Sequence, residues 1–277
     1  MSDPFLSVII PAFNEERRIL RTLQLLTDYL QHQTYSAEII VVDDGSSDQT
    51  CKVAALFAQE SSIPARLLQE PHGGKGHAVR AGMLNAVGAY RFLCDADLAM
   101  PVEEFSKFLP PALKNVDVAL GSREATGARR YDEPPYRHLM GRVFNLWVRG
   151  LTLRGIRDTQ CGFKCFTAAA AEALFGQQCL NGFGFDVEVL FLAQKSGLRL
   201  HEVPISWYHQ QESKVRPVED TFRMLYDAAL VRWRYQIGGY HLAPIRGSRM
   251  AAGFGDRATI QDDGQDDDRA SGGTART

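Results

Sequence analysis

Two carboxylates two residues apart, Asp95 and Asp97, follow the apolar run Phe92-Leu93-Cys94. Residues at that spacing on an extended chain point to one side, so both acids can face a single site where a strand ends. Open α/β sheets bind ligands beyond the carboxyl ends of their strands. Two hard oxygen donors there suit a divalent cation carrying phosphate oxygens. An isolated Asp-x-Asp is short and common, and one acid could equally cap the next helix. The segments Asp43-Asp44-Gly45-Ser46 and Gly73-Gly74-Lys75-Gly76 also stand at the ends of strand-like runs. Neither a P-loop nor a G-x-G-x-x-G fingerprint is present, and each segment alone could be turn chemistry. Three successive strand ends with polar clusters nevertheless converge on one cleft if the sheet is doubly wound.

The elements that must position these groups follow from periodicity. Leu6–Pro11, Glu38–Val42, Ala65–Gln69 and the run before Asp95 read as strands, while Ile19, Leu23, Leu26 and Leu30 recur at helical spacing. Asn14 is placed to cap the first helix with Glu15 and Glu16 in its first turn, and Ser47 or Asp48 to cap a second through Phe57. A third helix runs from about His77 to Val87. This alternation predicts an α/β fold with a mostly parallel sheet flanked by helices on both faces. Further on, Pro101–Leu109 reads as a helix, Val116–Ser122 as a strand, Glu124–Pro135 as a mobile loop and Tyr136–Thr152 as a helix carrying Arg137, Arg142 and Arg149. A short strand after Lys164 leads to an alanine-rich helix, Phe185-Asp186 opens another, Leu198–Val203 is a late strand and Gln211–Pro217 a loop. The last patterned helix, Thr221–Ile237, sets Tyr226, Trp233 and Ile237 on one apolar stripe and Met224, Ala228 and Val231 on a second. It can pack on the core and also touch lipid headgroups, or serve as a core or dimer-contact helix.

The 277 residues, 45% hydrophobic and 23% charged, supply one large globular domain. A net charge of −2 gives no bulk signal for nucleic acid. No apolar run approaches the roughly 20 residues that span a bilayer. Met1–Asp3 leads almost directly into a strand, so no secretory signal is expected. Cys161-x-x-x-Cys165 has no second Cys/His pair at matching spacing, and the five cysteines are expected as thiols in a reducing compartment. The expected location is cytoplasmic.

The runs Ser7–Glu16, Val41–Ser46, Gly74-Lys75-Gly76 and Asp95-Ala96-Asp97 resemble the family-2 glycosyltransferases. Gly121-Ser122-Arg123, Asp158–Lys164, Phe185–Glu188 and Ser213-Lys214-x-x-Pro217 are similar, within that family, to the dolichyl-phosphate β-glucosyltransferases. The likeness runs from about residue 7 to 240. It implies an inverting enzyme of the GT-A fold that takes a nucleotide-sugar donor. It also implies a nucleotide-binding half over about 1–122 and an acceptor-binding half over about 123–240, with 241–277 as a disordered tail. Two positions depart from the pattern. Mannosyl relatives carry a metal-holding glutamine where this chain has Ala99, and eukaryotic glucosyl relatives carry an N-terminal membrane anchor that is not expected here.

The resemblance implies that Asp97, with Asp95, holds Mg²⁺ or Mn²⁺ against the donor diphosphate. Asp95 touches the ribose in an alternative arrangement. Pro11, Ala12, Glu15, Asp43, Asp44 and Lys75 would line the nucleotide-sugar subsite. The acceptor implied is a polyprenyl phosphate, which is largely dianionic at neutral pH and needs no strong base. It needs cations, and Arg123, Arg137, Arg142 and Lys214 are the candidates. Asp186 is the candidate catalytic acid-base group if the acceptor is instead a hydroxyl, and otherwise orients donor or acceptor. The expected reaction is transfer of glucose from UDP-glucose, with peripheral membrane contact through 221–237. A soluble sugar or polyol acceptor, mannosyl transfer from GDP-mannose, and a non-catalytic nucleotide-sugar binding protein are the alternatives.

Overall fold

Strands β1 (Leu6–Ala12), β2 (Ala37–Asp44), β3 (Ala65–Glu70) and β4 (Tyr90–Leu93) alternate with helices α1 (Ile19–Gln31), α2 (Thr50–Glu60) and α3 (Lys75–Asn85). The computed structural model describes residues 3–132, 153, 155–209 and 217–241. All eight residues of β2 are buried, which is the signature of a parallel strand covered on both faces. The second half of the chain adds β5 (Val118–Ser122), β6 (Arg129–Tyr131), β7 (Lys164–Thr167), α4 (Ala168–Gln177), α5 (Phe185–Lys195), β8 (Leu200–Pro204), β9 (Ser206–Tyr208) and α6 (Pro217–Gln236).

Seven strands form one sheet in the order β3-β2-β1-β4-β7-β5-β8. Its pairings are parallel except where β7 runs against β4 and β5. That inversion matters for the site. Parallel strands deliver their C-terminal ends to one edge, whereas β7 delivers its start, so Lys164 pairs with both Leu93 and Leu120. Alternate residues of each strand feed two cores. Ile9, Ile40 and Val42 pack with α3, α4 and α5, while Val8, Ile10, Ile39 and Val41 pack with α1 and an aromatic group. In that group Phe92 stacks on Phe105 at 4.0 Å, and Phe163 meets Phe92 edge-on at 5.2 Å.

The structure departs from the expected elements at several points. Asn14 does not cap α1. It adopts φ 53°, accepts a hydrogen bond from Ser47 N–H at 2.8 Å, and leaves α1 to begin at Ile19. The loop after β1 is thereby stitched to the loop after β2, a long-range use of the side chain that helix-capping rules do not contain. Asp48 does serve α2, accepting from Thr50 N–H at 2.9 Å. The helix expected at Pro101–Leu109 is a 3₁₀ helix over Val102–Phe108, confined between prolines that limit its backbone bonds. The stretch 124–135, expected as a loop, contains β6, which pairs in parallel with β9. Three residues are too few for alternation to be read in sequence. The helix expected over 136–152, the loop over 211–216 and the tail beyond His241 lie outside the described residues. Among the described residues no helix is long and apolar enough to cross a membrane.

Candidate active site

Beyond Leu93 the chain turns through Asp95-Ala96-Asp97, and Leu98 takes φ 42°. A non-glycine residue there costs on the order of 1–3 kcal/mol and persists only where its surroundings hold it. Three contacts hold this turn. Thr22 Oγ1 of α1 donates to Ala96 O at 2.6 Å, Tyr208 N–H of β9 donates to Ala99 O at 2.8 Å, and Ala99 N–H donates to Asp97 Oδ1 at 3.2 Å.

Electrostatics in the turn favour a cation. Burial pushes the Asp97 carboxyl above its ordinary range and the neighbouring Asp95 adds to this; Ala99 N–H, Arg18 and Lys75 oppose it. Lys75 Nζ, at the start of α3, stands 2.7 Å from Asp95 Oδ1. Burial draws that ammonium down, but Asp95, Asp186 and Asp97 outweigh it and hold it above its usual value. Gly162 leaves room for the carboxylate, since a Cβ there would lie 1.9 Å from Asp95 Oδ2. Asp95 and Asp97 thus fit a hard divalent cation as a two-carboxylate site. Among the described residues no group of three or more His, Cys, Asp or Glu side chains could hold a metal, so substrate oxygens and water would complete the shell.

At the end of β2, Asp44 is buried and accepts from Gly73 N–H at 2.8 Å and Gly74 N–H at 2.9 Å, with His72 Nδ1 at 2.9 Å. The His72 ring stacks on Phe13 at 4.3 Å between centroids. Asp43 is buried and closes its own turn through Ser46 N–H at 3.0 Å. Glu15 pairs with Arg18, and its backbone N–H donates to Thr50 Oγ1 at 2.7 Å. Pro11 is half-buried. Ala12 is buried and its methyl belongs to the core.

Arg123 follows β5 and forms a two-pronged ion pair with Asp158, Nε–Oδ2 2.7 Å and Nη2–Oδ1 2.8 Å, and its guanidinium lies over the Trp207 ring. Asp158 is fully buried. Burial alone would raise its carboxyl, yet Arg123 holds it down to about 2. Arg123 therefore organises the loop over 158–162 as well as lining the edge of β5. Arg137, Arg142 and Lys214 lie outside the described residues.

Asp186 sits in the first turn of α5, buried, with Lys164 Nζ 2.7 Å from its Oδ1. Burial raises its carboxyl and Asp95 adds to this, while Lys164 and Lys75 pull the other way. A bracket over 178–182 joins α5 to α3. Gln178 Nε2 donates to Gly76 O at 2.8 Å and to Leu180 O at 2.7 Å, and His77 N–H donates to Asn181 O at 3.1 Å. Glu188 of α5 accepts from Leu180 N–H at 2.8 Å and from Tyr240 Oη at 2.7 Å. The fold thus brings Asp95, Asp97, Lys75 and Asp186 into one electrostatic cluster. Sequence reasoning assigned no role to Lys164, Gly162 or Gln178. Lys164 and Gly162 both lie in the run Asp158–Lys164 that carries the family resemblance, and Lys164 is also a charged residue opening the strand Lys-Cys-Phe-Thr; nothing local marks Gln178.

Residues 7–174 match the family described as glycosyl transferase family 2. The chain is 34% identical over 259 residues to a dolichyl-phosphate beta-glucosyltransferase of Homo sapiens, covering 87% of this chain and 79% of that protein. It is also 34% identical over 251 residues to one from Dictyostelium discoideum, covering 84% and 76%. Among solved structures, glucosyl-3-phosphoglycerate synthase from Mycobacterium tuberculosis in complex with phosphoglyceric acid superposes with a TM-score of 0.62 at 19% identity, over 83% of this chain and 80% of that one. The same enzyme in complex with Mn²⁺, UDP-glucose and phosphoglyceric acid gives 0.60 at 17% identity, over 83% of this chain and 79% of that one. These structures share its fold. The match across most of the described chain, with acids and glycines at the strand ends of one sheet edge, makes this chain a member of glycosyl transferase family 2.

Proposed function

We propose that this protein transfers glucose from UDP-glucose to the phosphate of a polyprenyl phosphate, with inversion at the anomeric carbon. The observation that carries the reading is 34% identity to dolichyl-phosphate beta-glucosyltransferases across 84–87% of the chain. An acceptor phosphate oxygen attacks the anomeric carbon, the bond from that carbon to the diphosphate breaks, and UDP departs with the electron pair. Asp95 and Asp97 would hold a divalent cation, Mg²⁺ or Mn²⁺, which when bound would supply Lewis-acid stabilisation of the leaving diphosphate. Lys75 adds a second positive charge beside Asp95. Asp44, aimed by the Gly73 and Gly74 amides, presents a fixed acceptor to the nucleotide. A dianionic phosphate attacks without a general base, which accords with an Asp186 that is buried in an ion pair.

The outer face of α6 supports contact with a membrane. Tyr226, Trp233 and Ile237 are 67%, 55% and 60% exposed, whereas Met224, Ala228 and Val231 on the other face are buried. Arg223 and Arg232 are exposed beside them. Aromatic side chains with flanking arginines suit the headgroup layer of an anionic bilayer, where a polyprenyl phosphate resides.

An acceptor panel tests the reading. With UDP-glucose and Mn²⁺, C55 and C95 prenyl phosphates are compared with soluble sugars and polyols. Glucosylated prenyl phosphate is the expected product. Glucose found only in water-soluble conjugates would move the assignment to a soluble acceptor.

A further inference from the structure

Lys164 is 1% exposed, among the largest fully buried side chains of the chain, and lies at the start of the one strand that runs antiparallel to its neighbours in the described sheet. Its ammonium has two partners. It donates to Cys161 O at 2.5 Å and stands 2.7 Å from Asp186 Oδ1. A buried lysine–aspartate pair is an expensive way to fill a core, because apolar residues of similar volume are often as stable or more so. This pair is placed where the cost has a use. Asp186 interacts electrostatically with Lys75 and Asp95, so Lys164 joins a line of alternating charges that begins at the carboxylate turn and continues through Asp158 to Arg123. Its other bond fixes the loop over 158–162, whose Gly162 makes room for Asp95 and whose Asp158 grips Arg123.

We infer that Lys164 is a positioning residue for sugar transfer: it holds the Asp186 carboxylate in place at the cleft and ties it to the loop that shapes the pocket of Asp95. The inference rests on the transferase reading but not on the identity of the acceptor. Without the ammonium, Asp186 loses the partner nearest its Oδ1 and the Cys161 carbonyl loses its donor, so both walls of the site relax together. The nucleotide subsite at Asp44, built from β2 and the amides of Gly73 and Gly74, has no contact with Lys164 among those described and is expected to stay formed.

Four proteins decide it: wild type, Lys164→Met, Asp186→Asn and the double variant, each checked for folding by circular dichroism and thermal melting. Lys164→Met is expected to keep UDP affinity within about threefold while kcat falls roughly 100-fold, matching Asp186→Asn. The double variant removes both charges, so it should melt above Lys164→Met and be no slower than Asp186→Asn alone, because groups acting as a unit are not additive. A folded Lys164→Met with kcat within threefold of wild type overturns the inference, as does a double variant whose loss is the product of the two single losses. If Lys164→Met does not fold, the remaining proteins still decide. Equal loss in Asp186→Asn and the double variant supports the inference, and full activity in Asp186→Asn overturns it. Should wild type glucosylate no prenyl phosphate, the acceptor reading fails separately and the same cycle is read on UDP-glucose hydrolysis.

Discussion

Gly162 and Asp95 compete for one volume: a Cβ on Gly162 would stand 1.9 Å from Asp95 Oδ2 and 2.4 Å from its Cγ. The neighbour that must give way is a carboxylate already paired with Lys75, just beyond the end of β4, the middle strand of the sheet. The glycine is therefore a requirement of the site rather than of its own backbone, which is not among the positive-φ positions.

Gly162→Ala is expected to displace Asp95 and lower transfer about 100-fold or more, with folding retained. Mn²⁺ binding followed by electron paramagnetic resonance should weaken in parallel. Undiminished Mn²⁺ affinity together with wild-type turnover would show that Asp95 does not need this position.

Arg123 and Asp158 make a stability prediction with a pH signature. Asp158 is held at about 2, against roughly 3.9 for a free carboxylate in the unfolded chain. A depressed folded value stabilises fully above the unfolded value and is lost as pH falls through the folded one. Denaturation at pH 7 should show Arg123→Met destabilised by about 3–5 kcal/mol, as expected when a buried carboxylate loses its partner. The gap between the two proteins should narrow between about pH 4 and pH 2. A gap that does not change over that interval would contradict the assignment.

Lys75→Met removes the cation beside Asp95. The expected result is a KM for the nucleotide sugar raised about tenfold or more, from loss of the positive charge proposed to face the diphosphate. Steady-state kinetics at saturating metal measures it, and an unchanged KM would take Lys75 out of the donor subsite.

The outer face of α6 is testable without touching the catalytic cluster. Replacing Tyr226, Trp233 and Ile237 together by serine should leave melting and turnover on a short-chain, water-soluble prenyl phosphate close to wild type, because exposed positions tolerate change. Sedimentation with anionic vesicles should fall at least tenfold. Equal sedimentation would place any membrane contact elsewhere.

The sheet was legible because its inner strands β1, β2 and β4 are almost wholly buried and read as apolar runs between glycine and acid turns, as in β2 ending at Asp43-Asp44-Gly45. The turn that carries Asp95 and Asp97 beyond the end of β4 was legible for the same reason. The antiparallel insertion of β7 was not, because a four-residue apolar strand carries no mark of direction. That direction is what carries Lys164 to the site. Asn14 misled because its side chain bonds across 33 residues to Ser47, where local rules see only a helix cap. The arginines at 137 and 142 lie outside the described residues, while Arg123 proved to have a carboxylate partner, Asp158, that no spacing rule joins to it.

The most direct test of the account follows label from UDP-[¹⁴C]glucose into the chloroform phase with polyprenyl phosphate and Mn²⁺ or Mg²⁺, comparing wild type with Asp97→Asn. The account predicts a chloroform-soluble glucosyl lipid from wild type and a loss of 100-fold or more in the variant, which keeps the volume of the side chain and removes its charge. Equal label in that phase from both proteins would contradict the role of Asp97, and no lipid-soluble label from wild type with either metal would contradict the reaction itself.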